Sequence, residues 1–128
     1  MIRVLAVLAA VAAAAAPERA GAPRPLACPA GTERGGAAPP EGYEEWCEAK
    51  VKDVPDARRR HGPARVYYDD GRLWVEESFT DGVRDGRFVE WHRNGARARE
   101  GAFAAGSKQG RWTIWTEDGT VAEESEWR

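Results

Sequence analysis

A glycine-bounded unit recurs three times in the second half of this chain at a fixed spacing of 24 residues. Gly62, Gly86 and Gly110 open the units, Gly71, Gly95 and Gly119 follow nine positions later, and Gly82 and Gly106 close the first two. Tyr67, Trp91 and Trp115 occupy one equivalent position, Glu76, Glu100 and Glu124 a second, and Phe79, Phe103 and Trp127 a third. A unit this short cannot bury its apolar surface alone, so each must pack against its neighbours.

Each unit reads as a β-hairpin. Asp70-Gly71, Asn94-Gly95 and Asp118-Gly119 are the dipeptides that best tolerate the positive φ of tight two-residue turns. Strands are expected over 65–68, 73–80, 87–92, 96–104, 111–116 and 120–127, with second turns at 81–86 and 105–110. A two-residue turn sets Arg65 against Glu76, Glu90 against Arg99 and Arg111 against Glu126, three complementary pairs from one register. The same register sets Tyr67 against Trp74, Trp91 against Ala98 and Trp115 against Ala122; a bulged three-residue turn would displace it by one.

On that register one face carries Tyr67, Trp74, Trp91 and Trp115. The other carries Val66, Leu73, Val75, Phe79, Phe88, Phe103, Trp112, Ile114 and Trp127. Charges fall on both faces, which a two-layer sandwich would not allow. The expected fold is all-β, a single elongated antiparallel meander of hairpin repeats with an irregular N-terminal segment.

The stretch Glu100-Gly-Ala-Phe-Ala-Ala-Gly-Ser-Lys-Gln-Gly110 resembles the MORN repeat. The pattern Gly-Arg-x-x-x-Trp-x-x-(Asn/Asp)-Gly at 86–95 and 110–119 is similar to the bacterial MORN-repeat variant, the YwqK-type antitoxin-component family. The first unit departs from it at Gly62-Pro63-Ala64 and Glu77-Ser78, and the third ends at Arg128 without its closing turn. The resemblance covers 62–128, in units 62–85, 86–109 and 110–128. It implies a hairpin sheet for interaction or scaffolding, with lipid-head-group or protein contacts, and it transfers no catalytic residue.

Residues 1–22 read as a secretory signal peptide: Arg3 supplies the positive region, Val4 to Ala16 the apolar run, and small residues offer cleavage after the Ala14–Ala16 run or after Ala22. Thirteen apolar residues fall short of the roughly 20 that a membrane span needs, although a retained anchor is the alternative. Removing the leader changes the net charge from −2 to −3. The repeat block holds ten basic and thirteen acidic residues, so the footprint of a nucleic-acid binder is missing. Arg58-Arg59-Arg60 reads as a solvated turn.

Cys28 and Cys47 are the two cysteines, and an even count in an exported chain predicts that they pair. All twelve aromatic residues lie at or beyond Tyr43, so the Pro/Gly/Ala-rich stretch 23–42 is expected to be an irregular linker. Residues 43–61 then form a disulfide-linked lead-in strand and loop.

No catalytic, cofactor or metal site is predicted. Equivalent glutamates two strands apart stand roughly 9–10 Å from one another, too far to share a calcium ion. His61 and His92 have no nucleophile at a motif spacing, and with the cysteines they match no zinc pattern. Tyr67, Trp74, Trp91 and Trp115 are the candidate interaction surface, since Tyr and Trp suit interfaces; the alternative is that they hold the repeats together. The final strand is expected to be a sheet edge guarded by Glu123, Glu124 and Glu126, or an acceptor for a partner strand. The expected role is a non-catalytic exported module that binds an unidentified protein partner or scaffolds, without cofactor. The second reading is an antitoxin or immunity-type inhibitor with one protein target.

Overall fold

The computed structural model describes residues 25–128; the expected signal peptide and cleavage sites lie outside them. The described chain is all-β, one open antiparallel meander without a helix. Its strands are β1 (Glu33–Ala37), β2 (Glu44–Lys50), β3 (Arg58–Tyr67), β4 (Leu73–Thr80), β5 (Val83–Arg84), β6 (Gly86–Trp91), β7 (Arg97–Ala104), β8 (Ser107–Trp115) and β9 (Val121–Trp127). They lie side by side in chain order, with the short β5 paired to β4 beyond the end of β6.

The three charged pairs fall where the hairpin reading sets them, Arg65 against Glu76, Glu90 against Arg99 and Arg111 against Glu126. The turns that produce them differ from the expected type. Tyr68 and Arg72 close a three-residue loop, with the Gly71 amide donating back to the Tyr68 carbonyl at 2.9 Å, and the other two hairpins repeat this. Only the glycine takes positive φ, at 90°, 86° and 91° for Gly71, Gly95 and Gly119. The acidic or amide residue before it serves otherwise: Asp70, Asn94 and Asp118 each accept from the backbone amide two positions on, at 2.8–3.0 Å. The two-residue turns with both residues at positive φ lie instead between repeats, at Asp81-Gly82 and Ala105-Gly106.

The longer loop displaces Tyr67 onto Leu73, Trp91 onto Arg97 and Trp115 onto Val121. A compensating bulge one residue further restores the charge pairs, leaving Trp74, Ala98 and Ala122 as the extra residues. This corrects the expected faces. Leu73 joins Tyr67, Val89 and Trp91 in a buried cluster on what we call the front face. Trp74 leaves that face, stacks on Tyr68 at 5.1 Å and donates to Glu90.

The opposite, back face carries an aromatic ladder. Phe88, Phe103 and Trp112 have ring centroids 5.1–5.7 Å apart. Cations seal it in place of a second layer: Arg60 lies over Trp46 and Phe79, Arg99 over Phe88 and Trp112, and Lys108 over Trp112 and Trp127. Their charged heads lie over the ring faces, a cation–π arrangement that covers the back of the sheet without a second layer.

The stretch 23–42 is not simply a linker. Residues 33–37 form β1 against β2, Leu26 is buried, and Ala38 packs on the front-face cluster. The repeats leave an apolar front face that needs a terminal cover, and this segment, poor in apolar residues as it is, supplies one. A Cys28–Cys47 disulfide closes it onto β2, as expected from the cysteine count. The polar stretch before the first repeat is likewise shorter than expected, because β3 already starts at Arg58.

Candidate functional site

The hairpin tips form one continuous border, each bonded to the next. Tyr68 Oη donates to the Trp91 carbonyl at 2.6 Å, and His92 Nε2, at the equivalent position, donates to the Trp115 carbonyl at 2.9 Å. Arg93 pairs with Asp69, and Asn94 donates to the Glu117 carbonyl. On the opposite border His61 Nδ1 accepts from the Asp81 amide, and Asp85 accepts from the Ala105 amide. Both histidines thus stitch turns. Glu76 and Glu100 are held by Arg65 and Arg87 at 3.0 and 2.9 Å, while Arg111 faces Glu124 and Glu126 at 4.0 and 3.2 Å.

The four candidate aromatics separate into two groups. Tyr67 and Trp91 are 3 % and 6 % exposed and hold the front-face cluster. Trp74 is 39 % exposed and Trp115 is half-buried. The structure does not bring these four into one patch; Trp74 is on the other face for the reason given above.

It does build a recess where the N-terminal cover meets the first repeat. The recess has a volume of about 510 Å³, with Glu45 and Tyr67 at its floor, Pro25, Ala38 and Pro39 in its walls, and Arg34 at its rim. Glu45 is 1 % exposed although it is a carboxylate. One oxygen, Oε2, accepts from Tyr67 Oη; the other, Oε1, is buried without a hydrogen-bond partner. Arg34 Nη1 stands 3.5 Å from Oε1 with its side chain 52 % exposed, and Arg65, the register partner of Glu45, hydrogen-bonds the Tyr67 phenol. Burial first, and then the Glu45 carboxylate, push the Tyr67 phenol up to about 12, so Tyr67 stays a neutral donor.

Sequence reasoning missed Glu45 and Arg34. The legible signal was period two: Glu45 lies two residues before Cys47, so both point to the side where the disulfide holds the N-terminal cover. What could not be read was the path of residues 38–43, including the cis Pro39-Pro40 bond, that closes the recess.

Among the described residues no cluster of His, Cys, Asp and Glu is placed to hold a metal ion. No helix among them is long and apolar enough to cross a membrane. The disulfide fits an oxidising, exported environment.

No family model and no curated protein matches the chain. One solved structure is similar, the GtfA/B complex bound to UDP and GlcNAc, at 10 % identity and a TM-score of 0.38 over 80 % of this chain and 25 % of that one. The chain thus spans about a quarter of the length of that structure's chain, and a likeness of this size carries no argument about activity.

Proposed function

We propose that this protein is a non-catalytic exported interaction module, a MORN-like repeat sheet whose N-terminal cover holds a recess for a protein partner. The observation that carries the reading is Glu45, a carboxylate kept in a recess with one oxygen unbonded. A buried acceptor left without a donor costs about 1–3 kcal/mol, more for a charge, and such groups ask for an explanation. The hairpin tips offer a contrast: Tyr68, His92 and Asn94 spend their polar groups on the carbonyls of the next repeat. Recognition then belongs where the repeat pattern stops.

The test is capture of a partner from cell-envelope extract by the mature protein, followed by hydrogen exchange on the complex. A stoichiometric partner that slows exchange across residues 34–45 supports the reading. A complex protected only along 121–127 overturns the recess as its binding site, and an intact leader on a cytosolic protein overturns export.

A further inference from the structure

We infer that the recess receives a protonated primary amine, the end of a lysine side chain presented by the partner. The inference rests on the interaction reading above and names the chemistry of that same site.

Three observations converge on this ligand. Glu45 offers one acceptor and not two, because Tyr67 Oη already occupies Oε2. A guanidinium is a planar fork that binds a carboxylate best through both oxygens, so it fits this half-occupied group poorly. An ammonium is a compact charge that needs only the single free oxygen. The walls, Pro25, Ala38 and Pro39, are apolar and suit the four methylenes behind such a head.

Arg34 is consistent with this. At 3.5 Å it neutralises Glu45 in part without making a hydrogen bond, and about half of its side chain faces water. It makes no other ion pair among the described residues. A guanidinium so loosely held can swing aside when an ammonium enters, and it acts as a competing cation at the rim. A neutral Tyr67 keeps donating to Oε2 throughout, so Glu45 stays fixed for its ligand.

The experiment titrates the mature protein with acetyl-Gly-Lys-Gly-amide, its norleucine and arginine analogues, and n-butylammonium, followed by NMR shifts at residues 34–45 and 67. We expect saturable shifts with the lysine peptide, none with norleucine, and at least about tenfold weaker binding of arginine, since one lost hydrogen bond to a charge is worth 1.4 kcal/mol or more. Glu45→Gln should abolish the shifts. Arg34→Ala, at an exposed position that should not threaten folding, should tighten binding several-fold by removing the competing cation. Equal response to lysine and norleucine, or weaker binding in Arg34→Ala, overturns the proposal. Binding of n-butylammonium as tight as the peptide overturns a protein source for the amine. Because the probes are measured on the protein alone, these results stand or fall separately from capture of a partner.

Discussion

Gly101 lies in the middle of the back-face ladder, between its register partner Phe88 and the indole of Trp112. A Cβ added there would stand 2.1–2.6 Å from Cδ2, Cε2 and Cγ of Trp112. Ordinary carbon contact is about 3.5–4.0 Å, so in Gly101→Ala the ring must retreat by more than about 1 Å. That retreat loses the hydrogen bond from Trp112 Nε1 to the Ala102 carbonyl, now 3.1 Å, worth about 1 kcal/mol. It also disturbs the contacts of Trp112 with Phe88 and Phe103, at 5.5 and 5.1 Å, worth about 0.5–1.5 kcal/mol each. The better backbone entropy of alanine returns about 0.5 kcal/mol. The net loss should be about 2–3 kcal/mol, or a Tm lower by roughly 10–20 °C for a domain of this size. Urea unfolding followed by tryptophan fluorescence measures it. The same substitution in a Trp112→Val background should cost less than about 1 kcal/mol, because the obstructing ring is gone. A Gly101→Ala variant within about 0.5 kcal/mol of wild type, or costs that add fully in the double variant, would refute the steric reading.

Three further outcomes are expected. The Tyr67 phenol titrates at about 12 in the fold and near 10 in the unfolded chain, so the unfolded state releases its proton first and stability falls as pH rises between those values. Denaturation midpoints across that window should drop in wild type and stay flatter in Tyr67→Phe. Reduction of the Cys28–Cys47 disulfide frees a 19-residue span and should cost about 3 kcal/mol, read as a lower urea midpoint in reductant, with the earliest loss of exchange protection in β1. Lys50 faces Arg58 directly across the β2–β3 hairpin, a like-charge pair; Lys50→Glu should stabilise by about 0.2–1 kcal/mol at low salt, a gain that shrinks as salt is added.

Much of the sheet was legible because turn chemistry and period-two alternation act locally. The charged pairs Arg65–Glu76, Glu90–Arg99 and Arg111–Glu126 were read from the right turn positions, but a three-residue loop and a bulge that cancels its displacement produce them. The turn type was not legible, because Asp-Gly and Asn-Gly suit both a two-residue turn and a three-residue loop with an Asx bond. That choice exchanged the faces of Leu73 and Trp74, and only packing decides it: Leu73 gains burial with Tyr67 and Val89, while Trp74 keeps its indole N–H on Glu90 at the surface. The recess was legible still less. Its residues come from 25 to 71 in the chain, and no local rule brings Pro25, Arg34 and Tyr67 together.

By itself, then, the 24-residue period determined that hairpins form and how many repeat, because both depend on residues within a few positions of a turn. The tertiary structure alone decided that a stretch rich in proline, glycine and alanine becomes a strand and a cover, and that Glu45 ends up buried beneath it. Those outcomes depend on an apolar front face needing protection and on a covalent tie across 19 residues, and neither can be seen from the segment that supplies the cover.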